Sequence, residues 1–366
     1  MTLPGPFDTE LYFARYEFTA RHLLAASDCQ TLSVGALLEL AGVEPDEFMK
    51  LTLGYTESAG HPTLREAIAA RYQTLSAEDI LVLGSPVEGL YLLSQLFTQD
   101  TIVLTPAYDA LKNLPQNAIP WPLRATDSEW QLDFEGLERL VTPETDLLVV
   151  NFPHNPTGFV PTTEEWTRLL EWVDQRGLWL FCDEIYAGLL RPDVPRLASA
   201  ADLYPRAVVL GGLSKSQGLP GLRCGWLATR EPELRRRLFE LKMYTSICPP
   251  APTEFLAQVA LAVESQLVAR SNQIIEANLS LAEDFFARHR DLFRFRRPRG
   301  ASVALVELLD GRSAQQWCYE LADRHGIVLL PSTFLGWEDR FVRFGFGRTT
   351  FSEALAAFQE LFSSPT

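Results

Sequence analysis

Between residues 79 and 229 the chain alternates between two textures, and that alternation limits the folds open to it. Short apolar runs rich in branched residues recur: DILVLGS (79–85), DTIVLTP (100–106), DLLVVNFP (146–153), LWLFCDE (178–184), RAVVLGG (206–212) and GWLAT (225–229). Runs of this length and composition read as strands buried on both faces. Between several of them lie stretches with helical spacing, of which EGLYLLSQLF (88–97) and TTEEWTRLLEWVDQRG (162–177) are the clearest. The second opens with Thr and Glu where a capping box needs them and closes on Gly177. Strand, helix, strand at this spacing predicts βαβ units. The fold class is therefore α/β, with a mostly parallel sheet sandwiched by helices.

After residue 230 the texture changes. A long helical stretch is expected over about 251–288, then a strand, a Pro/Gly turn and a strand in FRFRRPRGASVALVEL (293–308). GIVLLPS (326–332) and DRFVRFGFG (339–347) read as further strands, and SEALAAFQELF (352–362) as a closing helix. This predicts a smaller α+β domain. A chain of 366 residues accommodates two domains. The expected division is a large domain over 42–250 and a small one built from 1–41, expected to be helical, and 251–366.

The formal net charge is −15, which argues against nucleic acid and against an anionic membrane surface as partners. The cysteines at 29, 182, 224, 248 and 318 show no C-x-x-C spacing, and their odd count suits reduced thiols in a cytoplasm. The histidines form no H-E-x-x-H and no cluster with the cysteines, so no metal is expected. MTLPGPFDTELYF has no apolar core, so it does not read as a signal peptide, and no run reaches the ~18 apolar residues of a membrane span. Neither a G-x-G-x-x-G following a strand nor a G-x-x-x-x-G-K-[ST] loop is present.

In open α/β sheets ligands bind outside the carboxyl ends of the strands. The residues at those ends are Ser85, Pro106 and Tyr108, Asn155, Asp183 with Tyr186 one turn on, Ser214 and Lys215, and Arg223. Lys215 is the only lysine between Lys112 and Lys242, and it sits in a turn of small residues rather than on a helix face. If the runs are neighbours, one crevice holds an amine, a carboxylate, phenols, a carboxamide, hydroxyls and a guanidinium. That inventory suits an aldehyde cofactor bearing a phosphate and a ring nitrogen. Taken singly, Asp183 also suits a helix N-cap and Asn155 an Asn-Pro turn.

In order and spacing, NFPHNPTG (151–158), CDEIYAGLL (182–190), SKSQGLPGLRCGW (214–226) and VRFGFGR (342–348) resemble the class I/II aminotransferases, a fold-type-I group of pyridoxal-phosphate enzymes. The resemblance covers about 55–350. It implies an enzyme with pyridoxal 5′-phosphate bound to Lys215 as an internal aldimine. An amine that attacks an aldehyde must be partly neutral, which a desolvated pocket favours. It also implies that Asp183 pairs with the pyridine nitrogen, that Tyr186 and Asn155 hydrogen-bond the ring oxygen, and that Tyr108 stacks on the ring. Ser85, the backbone near Val87, Ser214 and Arg223 would hold the phosphate. An arginine in the apolar setting of LPGL and CGW is expected to meet a buried anion. Arg343 would clamp the substrate α-carboxylate. Tyr55 matches a tyrosine that reaches the phosphate of a neighbouring subunit, which implies a homodimer. The expected substrates are an amino acid and a 2-oxo acid.

The chain departs from the family in places. Gly212 stands where relatives often carry a hydroxyl, and Pro86 removes an N–H from the phosphate loop. AASDCQTL (25–32) replaces a glycine-bearing segment that lines the substrate pocket, so Asp28 or Cys29 is expected to enter it. Arg124, Arg299 and Arg348 are further candidates for a side-chain carboxylate. NFPHNP (151–156) and RPRGASVALVEL (297–308) somewhat resemble a cyclising relative in this family, capreomycidine synthase, which keeps elimination, replacement or cyclisation open beside amino transfer. A cofactor-binding regulator of this fold usually carries a basic DNA-binding domain, and the residues before the motifs are acidic instead.

Overall fold

The six apolar runs pair into one sheet, joined by a strand that the sequence hides. A computed structural model describes residues 4–362. The strands are β1 (Ile80–Leu83), β2 (Asp100–Thr105), β3 (Asn117–Pro122), β4 (Thr145–Asn151), β5 (Trp179–Asp183), β6 (Ala207–Gly212) and β7 (Gly225–Ala228). Their order across the sheet is β3-β2-β4-β5-β6-β7-β1. All neighbours run parallel except β7, which is antiparallel to both β6 and β1. The connection from β6 to β7 is used up by the Lys215 turn and holds no crossover helix, so the strand returns antiparallel. Strand β3 escaped notice because Pro120 and Pro122 interrupt its pattern. It lies at the sheet edge, where a missing N–H breaks no ladder.

Helices cover the sheet as the periodicity predicts. In the helix Thr163–Gln175, Thr162 and Glu165 form the expected capping box, and Trp166, Leu169, Trp172 and Val173 bury one face. Gly177 takes a left-handed φ of 62° just beyond the end. The stretch expected as one long helix breaks at Val263 into Ala251–Ala262 and Glu264–Arg288.

A second sheet comprises β8 (Phe293–Phe295), β9 (Val303–Leu308), β10 (Leu330–Pro331) and β11 (Phe341–Gly345), in the antiparallel order β8-β9-β11-β10. It packs on Glu264–Arg288 and Phe351–Glu360 through a phenylalanine-rich core that includes Phe285, Phe286, Phe344 and Phe358. The N-terminal segment joins this part of the molecule, but less of it is helical than expected. Helices span Asp8–Tyr16 and Val34–Ala41, and between them His22–Leu23 pairs parallel with Ile327–Val328.

Two glycines let the N-terminal segment cross the end of β11. A Cβ on Gly345 would lie 1.7 Å from Ala26 O, and one on Gly347 would lie 2.4 Å from Asp28 O. Gly345 N donates to Leu24 O at 2.6 Å, and Gln30 N to Gly347 O at 2.8 Å. The alternation of glycine and phenylalanine in RFGFG is thus a backbone-contact surface on one side and core on the other. Among the described residues no helix is long and apolar enough to cross a membrane.

Candidate active site

The carboxyl ends of the parallel strands open into a cavity of about 550 Å³. Asn151 and Asp183 end β4 and β5 side by side in register. The Asn151 amide donates to Asp183 O at 2.8 Å, and its Oδ1 accepts from Asn155 N at 2.7 Å. The Asn-Pro turn is thereby fastened to the Asp183 strand. Asp183 is buried, and its Oδ1 accepts from Ile185 N at 3.0 Å. Burial raises its pKa from 3.8 to about 7, although that N–H and Lys215 pull the other way.

The turn after β6 presents Lys215 to the same cavity. Its Nζ donates to Ser27 Oγ at 2.8 Å and lies 6.0 Å from the centroid of the Tyr186 ring. Gly218, at a φ of 69°, closes the turn, and its N–H bonds Lys215 O at 3.0 Å. Only glycine suits that position, because a Cβ would also lie 2.9 Å from Gln30 O. Tyr186 is buried with its hydroxyl unpartnered.

Arg343 reaches the cavity from β11. Its Nη1 donates to Asn155 Oδ1 at 3.1 Å and its Nη2 to Ala25 O at 2.9 Å. The guanidinium is buried, its Nε has no partner, and burial lowers its pKa. A buried guanidinium with a spare donor calls for an acceptor.

At the other end of the cavity Ser85 is the N-cap of the helix Pro86–Ser94, with no capping bond from its side chain. Val87 lines the cavity from the first turn, and Pro86 at the first helical position offers no N–H. Ser214 is buried with a partnerless hydroxyl. Arg223 lines the cavity as well, but it is exposed at the rim rather than buried, and its Nη1 donates to Pro220 O at 3.1 Å. Its left-handed φ of 49° turns the chain from the lysine loop into β7.

Ten of the sequence-nominated residues therefore share one cavity: Ser85, Val87, Tyr108, Asn155, Asp183, Tyr186, Ser214, Lys215, Arg223 and Arg343. Asp28 and Cys29 do not line it, which corrects the expectation for this segment. Asp28 turns away to pair with Arg348 at 2.9 Å. Cys29 is fully buried, and burial pushes its thiol up to about 11. Their neighbour Ser27 enters instead. Arg124, Arg299 and Arg348 also lie outside the cavity. Tyr55 is 93% exposed and does not reach the cavity of its own chain.

Sequence reasoning missed Ser27, Asn151, and the trio Phe7, Glu10 and Phe13, all of which line the cavity. Asn151 had a signal, since it ends a strand inside NFPHNPTG. Ser27 had a weaker one, in the glycines of RFGFGR that require a second backbone nearby. For the trio there was none.

A family model described as aminotransferase class I and II matches residues 24–357. The chain belongs to the class I and II aminotransferases. It is 29% identical over 354 residues to capreomycidine synthase from Streptomyces vinaceus, covering 94% of this chain and 90% of that one. Two solved structures match it closely in shape. The pyridoxal-phosphate-dependent cyclase OrfR superposes with a TM-score of 0.90 at 26% identity, over 99% of this chain and 98% of that one. A pyridoxal-phosphate-dependent aminotransferase from Streptococcus suis gives 0.88 at 27%, over the whole of both chains.

This aminotransferase is a pyridoxal-phosphate-dependent enzyme, and the cavity fits that cofactor. The partnerless hydroxyls of Tyr186 and Ser214 and the partnerless Arg343 Nε are buried donors that call for acceptors. Asp183 is a buried carboxylate with no ion pair among the described residues, which suits a protonated ring nitrogen. Lys215 Nζ stands among these groups, where an aldehyde carbon can be bonded.

Proposed function

We propose that this aminotransferase moves the amino group of an L-amino acid to a 2-oxo acid, with Lys215 as the catalytic lysine. One observation carries the assignment. Lys215 Nζ, the Asp183 carboxylate and the unpartnered donors of Tyr186, Ser214 and Arg343 face one cavity at the strand ends. When bound, the cofactor supplies an electron sink for negative charge at the substrate Cα. Lys215 would hold the aldehyde group, and its free amine would serve as the base that takes the proton from Cα. Asp183 holds the proton on the ring nitrogen. Tyr186 and the Nδ2 of Asn155 would donate to the ring oxygen, and Tyr108 would pack against the ring. Ser85, Val87 N–H, Ser214 and Arg223 bind the phosphate. Arg343 holds the substrate α-carboxylate and so orients Cα toward Lys215.

Borohydride reduction followed by peptide mass analysis tests the lysine: the tagged peptide is expected to contain Lys215, and a tag elsewhere refutes the role. Mixing with an amino acid and no oxo acid tests the reaction, since amino transfer leaves the cofactor as pyridoxamine phosphate. Capreomycidine synthase, similar in sequence over most of its length, and OrfR, similar in shape, favour a second reading as a lyase or cyclase. In that case product accumulates while the cofactor stays an aldehyde derivative.

The proposed assembly is a homodimer in which Tyr55 reaches the partner's phosphate. Tyr55, Leu53, Tyr244 and Ile247 are all exposed apolar residues. Their loops meet where Thr56 Oγ1 donates to Pro249 O at 2.6 Å and Lys242 Nζ bridges Ser58 O and Ile247 O at 2.8 and 3.1 Å. Loss of cofactor retention in Tyr55→Phe supports the role, and unchanged retention removes it. We further assign residues 42–250 to the cofactor domain and 1–41 with 251–366 to the smaller one. A cytoplasmic setting is proposed from the five free cysteines.

A further inference from the structure

Every charged side chain lining the cavity has a task under the assignment above, on which this inference rests, except one. Lys215, Asp183 and Arg223 serve the cofactor, and Arg343 serves the α-carboxylate. Glu10 is left over. Its Oε1 accepts from Tyr108 Oη at 2.7 Å, and no lysine or arginine among the described residues forms an ion pair with it.

The helix Asp8–Tyr16 holds this carboxylate in place. The buried Asp109 accepts from Thr9 N at 2.9 Å and so pins the first turn. On the far side Tyr12 Oη donates to Cys318 O at 3.3 Å and Tyr16 Oη to Asp323 at 2.8 Å. Phe7, Glu10 and Phe13 follow at three-residue spacing and turn one face to the cavity. Phe7 meets the Tyr108 ring edge-on at 5.3 Å between centroids. The Phe13 ring lies 5.8 Å from the guanidinium carbon of Arg343. The carboxylate therefore stands at the cavity mouth between two aromatic rings, one turn from the ring that meets the α-carboxylate clamp.

Aromatic faces and a carboxylate attract the same kind of group, a cation, and they repel or fail to solvate a second carboxylate. We infer that Glu10 selects amino-acid substrates whose side chain ends in an ammonium or guanidinium group. An amino acid held at its α-carboxylate by Arg343 extends its side chain along the helix face toward Glu10. Because the carboxylate is exposed at the mouth, the preference weakens as salt screens it.

The test compares ligands of equal length that differ in charge: arginine against citrulline, and lysine against 6-hydroxynorleucine. Affinity for the holoenzyme is read by calorimetry and by the change in cofactor absorption, and kcat/KM is read in the first half-reaction. The cationic member is expected to win by about tenfold. Glu10→Gln brings the ratio close to one, and Glu10→Asp keeps part of it. Equal affinities within each pair in the wild type, or a ratio unchanged in Glu10→Gln, overturns the inference. Should Glu10→Gln not hold the fold, the wild-type ratio and its fall at high salt decide. Calorimetry needs no turnover, so a preference for the cation without pyridoxamine phosphate formation sinks amino transfer and leaves the role of Glu10 standing. Binding without preference sinks only Glu10.

Discussion

A Cβ on Gly212 would lie 3.0 Å from Pro86 Cγ, so the side chain missing at one position makes room for the ring at the other. Gly225, opposite Gly212 in register, completes the shelf: its Cβ would meet Pro86 N at 2.8 Å and Pro86 Cα at 2.9 Å. Gly212 and Pro86, singled out separately in the sequence, are thus one packing solution. Restoring the hydroxyl as Gly212→Ser is expected to weaken cofactor binding and to destabilise the protein by about 1–3 kcal/mol, the usual cost of overpacking. Combining it with Pro86→Ala should recover at least about 0.5 kcal/mol relative to the sum of the single changes. Thermal denaturation and cofactor titration of all four forms check this, and strictly additive costs would refute the coupling.

Arg343→Lys should lower kcat/KM for the amino donor about a hundredfold or more, because a lysine cannot bridge Asn155 and Ala25 and still grip a carboxylate with two parallel bonds. Single-turnover kinetics with saturating cofactor measure it. A loss below about threefold would place the α-carboxylate elsewhere.

Asp183 makes the stability of the cofactor-stripped protein depend on pH. Its folded pKa of about 7 lies above the usual 3.8, so its contribution is fully present below about pH 4 and is lost as the pH rises through 7. Three units correspond to roughly 4 kcal/mol as an order of magnitude. The melting temperature should therefore fall between pH 5 and pH 8 more steeply in the stripped wild type than in stripped Asp183→Asn. Parallel pH profiles in the two proteins would remove Asp183 as the cause.

His154 acts in the opposite direction. Burial lowers its pKa from 6.5 to about 3, and its Nδ1 lies 2.7 Å from Thr157 Oγ1. A neutral histidine of this kind contributes stability above about pH 6.5 that is lost as the pH falls toward 3. Replacing it with glutamine should flatten the acid limb of a melting curve, and an unchanged acid limb counts against it.

Ser27→Ala should slow the half-reaction about five- to tenfold through the loss of the hydrogen bond that orients Lys215, with cofactor retention intact. Asp28→Asn breaks a pair with Arg348 outside the cavity and should leave the rate within about twofold. The reverse ranking, read in the same single-turnover assay, would return Asp28 to the substrate pocket.

Most of the fold was legible because strands buried on both faces leave continuous apolar runs, and the residues at their carboxyl ends can be read off in order. Asp183, Lys215 and Asn155 were found that way. Strand β3 was not, because an edge strand tolerates the prolines that elsewhere rule a strand out. Ser27 and Glu10 were hidden for a different reason. They reach the cavity from the N-terminal segment by tertiary contact, and local pattern carries no record of which distant backbone a segment will cross. The paired glycines at 345 and 347 marked one half of such a crossing without naming the other.

The pairing of His22–Leu23 with Ile327–Val328 also sets an order of events during synthesis. The sheet that carries Asp183 and Lys215 can form as soon as β7 has emerged. The serine beside the lysine and the helix over the mouth must wait for residues made some three hundred positions later. Until those residues join it, Lys215 Nζ lacks its Ser27 partner, and contacts this far apart in sequence form slowly. The finished cavity of this molecule therefore depends on a closure that spans about three hundred residues of the chain.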